Sequence, residues 1–74
     1  MKVSDDDFVI LQAIHRCSVL DYPCPAETVA KAAGFIEAGL VGVKGEVAKN
    51  GMADLFVTDD AKWKLLAGGR KLKS

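Results

Sequence analysis

The residues able to do chemistry in this chain are few and close together: His15, Cys17, Asp21 and Cys24. Imidazole and thiolate are zinc ligands, and His-x-Cys followed by a second cysteine supplies three of them. The spacing matches no zinc motif, and a structural zinc site takes four ligands. The expectation is therefore two small interior thiols with no metal and, in a reducing compartment, no disulfide. Catalysis is not expected either. The chain has one histidine, no glycine-rich phosphate loop, and no nucleophile with a base at useful spacing. His15 falls within the first helix as a surface or edge-of-core residue, and no cofactor is implied.

The charged groups are the second set with chemical reach. Ten bases and ten acids balance at zero net charge over 74 residues, which argues against a strongly basic nucleic-acid binder. The two halves differ. Residues 1–37 carry six acids against three bases, and residues 38–74 carry four acids against seven bases, so the halves stand at −3 and +3. Any attraction to a polyanion belongs to the C-terminal half.

These groups are held by one small domain, expected over residues 1–69, with a frayed basic tail over 70–74. Half of the residues are apolar, enough for a core. The longest unbroken apolar run, Phe8-Val9-Ile10-Leu11, is far short of the roughly 20 residues that span a bilayer. Asp5-Asp6-Asp7 near the start is wrong for a secretory signal, so a cytoplasmic location is expected.

Ser4 followed by three aspartates starts a first helix from about Asp5 to Val19, with Asp7 placed to complete a capping box. Phe8, Ile10, Leu11, Ile14 and Cys17 form its apolar stripe. Pro23 and Pro25 end it. A second helix follows from Ala26 to Ala38, burying Ala26, Val29, Ala30, Ala33 and Ile36, and Gly39 stops it. Gly34 costs that helix about 1 kcal/mol relative to alanine, so a break there is a second option. Two strand-like runs then flank Asn50-Gly51. A three-residue loop, Lys49-Asn50-Gly51, pairs Ala48 with Met52 and puts Val41, Val43 and Val47 on one face with Ala53, Leu55 and Val57. Thr58 caps a last helix that packs Ala61 and Leu65 inward, with Trp63 or Leu66 beside them, and Gly68-Gly69 ends it.

Phe35-Ile36-Glu37-Ala38-Gly39-Leu40-Val41 resembles the end of the recognition helix and the start of the wing in prokaryotic winged helix-turn-helix regulators. Leu55, Val57, Thr58, Ala61, Leu65 and Leu66 fit the pattern that follows the wing in those families. The resemblance implies an α+β fold, a small winged-helix domain of helix, helix, β-hairpin wing and C-terminal helix. The supporting helix of a helix-turn-helix has no counterpart between the first two helices, unless Ala26–Ala38 divides at Gly34.

The implied function is a small DNA-binding transcriptional regulator of phage or plasmid size, binding duplex DNA as a homodimer. Its contacts would be Thr28 and Lys31 in the groove, Lys44, Lys49 and Asn50 at the wing, and Arg70, Lys71 and Lys73 on phosphates. The alternative is a protein-interaction module on a degenerate winged helix, with Phe35, Tyr22 or Trp63 as anchors. The second helix favours this alternative, because Glu27, Thr28 and Lys31 among alanines are poor readers of base edges.

Overall fold

The structure, a computed structural model, describes residues 2–73. Its elements run α1 (Asp5–Val19), α2 (Ala26–Glu37), β1 (Val41–Lys44), β2 (Asp54–Val57) and α3 (Asp59–Ala67). Three helices and one antiparallel hairpin make a small α+β domain compatible with a winged-helix-like fold. α2 runs unbroken through Gly34. The stretch from α1 to α2 is a turn and a single β-bridge, so no supporting helix lies there.

Local chemistry sets the helix ends. The Ser4 hydroxyl accepts from the Asp7 amide at 3.1 Å, and the Asp7 carboxylate accepts from the Ser4 amide at 3.1 Å, a reciprocal capping box. All three helices close with the same pair of bonds, in which the second residue past the cap reaches back to the third-last helical carbonyl. These are Tyr22 to Cys17 at 2.9 Å, Leu40 to Phe35 at 2.9 Å and Arg70 to Leu65 at 2.9 Å. The motif needs a left-handed residue just past the cap. Gly39 and Gly69 supply it at φ 79°, while Asp21 takes φ 63° at the end of α1, as a short polar side chain can.

The hairpin carries a two-residue slip. At its tip, the Ala48 amide donates to Met52 at 2.8 Å and Gly51 sits at φ 87°, so the pairing expected across Lys49-Asn50-Gly51 is present. Below it the ladder reads Val41↔Val57, Gly42↔Phe56, Val43↔Leu55 and Lys44↔Asp54. Gly45, Glu46 and Val47 therefore stand opposite Ala53 alone. The cause is competition for Ala53, whose carbonyl accepts from the Cys24 amide at 2.7 Å. A slip of two preserves the side-chain face, since strands repeat every second residue. Val41, Val43, Leu55 and Val57 still point inward, whereas Val47 is left exposed.

That inner face packs on α1, where Leu11 and Ile14 are fully buried, and Leu40, Phe35, Ala61 and Leu65 close the core. Burying each such leucine or isoleucine contributes about 1.5–3 kcal/mol. α2 is turned relative to expectation. It buries Ala32 and Phe35, with Val29 and Ile36 alongside, and leaves Ala26, Ala30 and Ala33 exposed. Phe35 decides the rotation: one aromatic ring hides far more apolar area than an alanine methyl. It is core, not an exposed anchor. Trp63 and Leu66 lie outside the core of α3, which Ala61 and Leu65 fill.

Thr58 joins three elements. Its hydroxyl accepts from the Ala61 amide at 3.3 Å and donates to the Gly39 carbonyl at 2.8 Å, while its own amide donates to Leu40 at 3.0 Å. Thr58→Val keeps the shape and deletes the hydroxyl, so it should cost about 1–2 kcal/mol. Urea unfolding should show a lower midpoint at unchanged slope. An unchanged midpoint would mean the latch contributes nothing.

Candidate nucleic-acid interface

The side chains expected to contact DNA fall into two separate groups. On the α2 side, Thr28 is half-buried in the first turn, and Lys31 lies 3.1 Å from Glu27 across one helical turn, a largely exposed pair. Beyond Lys31 the exposed surface of α2 is Ala33, Gly34 and Glu37. The hairpin tip leans on the same end of α2, since a β-carbon on Gly51 would meet that of Ala26 at 2.9 Å. Lys49 is exposed there. Asn50 is occupied, because its side-chain oxygen accepts from the Met52 amide at 3.1 Å and closes the turn.

The other group is built around α1 and the C-terminal segment, which is not a frayed tail. Arg70 donates to the Val3 and Ser4 carbonyls at 3.0 and 3.1 Å, pairs with the Asp5 carboxylate, and lies 5.6 Å from the Phe8 ring centroid. Gln12 brackets the Lys73 backbone, accepting from its amide at 3.1 Å and donating to its carbonyl at 2.9 Å. Between these ties Leu72 packs on the core. The segment is thus a strap over α1, and Ser74 lies outside the described residues. Arg70 is a structural residue and not a free phosphate ligand, because three partners already hold its guanidinium.

Grooves run along the strap and α1, and the bases line them. Lys71 and Lys73 flank one groove with Arg16. Lys71 reaches a second, lined also by His15 and Lys62. His15 and Lys62 continue into a third with Lys44, whose ammonium lies 5.8 Å from the Phe56 ring centroid. Lys2, Lys64 and Arg70 line a fourth, which shares Leu65 and Arg70 with the second. Eight of the ten bases thus border four linked grooves, and Asp59 is the one acid lining them. Asp59 sits 3.9 Å from Lys62 and is almost fully exposed, so the pair is weak.

Lys44, Lys71 and Lys73 therefore belong together, whereas Thr28, Lys31, Lys49 and Asn50 belong to another surface. Sequence reasoning missed Arg16 and Lys62, whose proximity to Lys71 arises only because the strap is docked. The available signal was Leu72, an apolar residue in a basic run. Among the described residues no cluster of three or more metal-ligating side chains exists, and no helix is long and apolar enough to cross a membrane. No protein-family model, characterised protein or solved structure matches the chain.

His15 records the electrostatics of this surface. Its pKa is lowered from 6.5, first by burial and then by the Lys62 ammonium. A depressed histidine pKa means the unfolded chain takes up the proton first as pH falls. The associated stability is full above pH 6.5 and is lost as pH drops through the folded value. An NMR titration of the His15 ring should give a midpoint below 6.5, and Lys62→Gln should raise it. A midpoint indifferent to Lys62 would place the lysine elsewhere.

Proposed function

We propose that this chain is a small DNA-binding protein, a regulator in the sense its sequence resemblance implies, that holds duplex DNA through phosphate contacts along the strap and hairpin side. The observation that carries this reading is the segregation of bases around α1. A molecule of zero net charge gathers Arg16, Lys44, Lys62, Lys71 and Lys73 along joined grooves with one acid among them. Such a band attracts a polyanion locally although the whole chain does not. α2, the helix the resemblance would put in the major groove, offers small side chains and a lysine already paired with Glu27. Contacts of this kind position a duplex without reading its sequence.

Fluorescence anisotropy of a mixed-sequence duplex at low salt tests the reading. Five cations displacing counterions give a slope of log affinity against log salt of about −4 to −5. Lys62→Glu combined with Lys71→Glu should weaken binding by about tenfold or more, and Lys31→Glu should leave it nearly unchanged. No salt-dependent binding would end the proposal. Loss confined to Lys31→Glu would return the contact to α2.

A second reading, a protein-docking module or self-associating homodimer, is favoured by the outer face of α3. There Trp63 is 70 % and Leu66 49 % exposed, one helical turn apart. Aromatic anchors of this kind dominate protein interfaces. Trp63 is the sole tryptophan, so its emission reports directly on that face. Self-association should shift the emission to the blue as protein concentration rises, and Trp63→Ala should keep the chain monomeric in light scattering. Emission that stays fixed and water-exposed over the whole range would rule out self-association through α3.

A further inference from the structure

We propose that His15 and Lys62 form a phosphate site at the junction of two grooves, which takes up a phosphate group together with one proton and so holds it more tightly in mild acid. This names where a backbone phosphate of the duplex sits, and to that extent it rests on the DNA reading. The ligand is a tetrahedral phosphate anion, carried by a duplex backbone or free in solution.

The geometry that points there is the overlap of the second and third grooves. The two residues common to both are His15 of α1 and Lys62 of α3. The grooves enclose about 370 and 540 Å³, within the roughly 300–1,000 Å³ of small-molecule clefts. His15 is half-buried, and among the described residues no hydrogen bond engages its ring. None of their buried side-chain nitrogens lacks a partner, so both ring nitrogens reach solvent in the grooves. An anion at the junction thus meets an unengaged imidazole. Beside it is an ammonium paired only with Asp59, at 3.9 Å and largely exposed.

Charges face His15 from each neighbouring element. α3 brings Lys62 and Asp59, β1 brings Lys44, and the strap brings Lys71 and Arg70. Val3, Ser4 and Asp5 already hold Arg70. Burial first, and then Lys62, hold the imidazole pKa below 6.5, so the ring is mostly neutral at pH 7. A bound phosphate reverses that balance. Its negative charge favours the imidazolium, which then offers a charged N–H donor beside the Lys62 ammonium. The proton comes from solvent, and only hydrogen bonds form. Because His15 holds its proton more tightly with phosphate present, affinity rises as pH falls through the bound-state pKa and levels off below the free-state one. One proton limits the gain to about tenfold per pH unit. His15 is the one histidine, the side-chain type that ordinarily titrates between about pH 5 and 8, so the effect has a single source.

The test follows the His15 ring of the full chain by NMR from about pH 5 to 8. The chain is titrated alone, with inorganic phosphate, and with a mixed-sequence duplex, each against sodium chloride at matched ionic strength. Circular dichroism checks the fold at each pH. Both anions should raise the ring midpoint, and Lys62→Gln should shrink the rise. By anisotropy, duplex affinity should increase about fivefold or more between neutral and mildly acidic pH. His15→Gln should flatten that profile yet stay near wild type above neutral pH, and Asp59→Asn should strengthen binding. A midpoint raised by inorganic phosphate, with no duplex bound at any pH, would support the site with a free phosphate and end the DNA reading. A midpoint that neither anion moves beyond chloride would overturn the site, and salt-dependent duplex binding alongside it would leave the DNA reading intact. A pH profile that survives His15→Gln, or a rise untouched by Lys62→Gln, would overturn it too.

Discussion

A two-stranded sheet with four residues per strand cannot hold itself together in water, and every other element answers to the need to cover one of its faces. Val41, Val43, Leu55 and Val57 make that face, and Leu11 and Ile14 of α1 cover it. The cover is worth having only if α1 is long, well started and held in register. Hence the capping box at Ser4 and Asp7, and hence the strap, which ties the first residues to Arg70 and the middle of α1 to Lys73. In a chain this short one such core is near the minimum that folds alone, so ties at the edges matter more than they would in a larger domain.

The hairpin in turn fixes α2 and α3 through their ends. Gly39 turns the chain out of α2 directly into β1, and Thr58 turns it out of β2 directly into α3. The two junctions touch, because the Thr58 hydroxyl and amide bond to the Gly39 and Leu40 carbonyls. With both helices anchored there, the outer faces are settled. α2 presents alanines, α3 presents Trp63, and the outer face of the hairpin presents Phe56 lying across Gly42 with Lys44 above it.

Much of this was legible in the sequence because local rules govern it. Ser4 and its aspartates, the two prolines, Gly39, Thr58 and the Asn50-Gly51 tip each specify their own neighbourhood, and the elements fall where those residues put them. What escaped was decided by contacts distant in the chain. Cys24 takes Ala53 away from Val47 and slips the hairpin by two residues. Phe35 rotates α2 because its ring must be buried, whereas the alanines around it tolerate any orientation. The strap docks because Gln12 and the start of α1 offer partners more than sixty residues away. The candidate site suffered most, since grouping cations depends on which surfaces adjoin. Lys44, Lys71 and Lys73 share the linked grooves with Arg16 and Lys62, which the sequence does not single out, and Thr28, Lys31, Lys49 and Asn50 stand on another surface.

The functional account rests on this division of the surface. Bases are drawn to the strap side, where each groove shares a residue with the next, and the helix that a winged-helix regulator would use for reading is small-featured and internally paired. The most direct measurement is a titration of the isotopically labelled chain with a mixed duplex at low salt, followed by amide chemical shifts. The account expects the largest movements at Arg16, Lys44, Lys62 and Lys71 to Lys73, with Ala26 to Gly34 still. Movements centred on Ala26 to Gly34, with the strap unmoved, would contradict it.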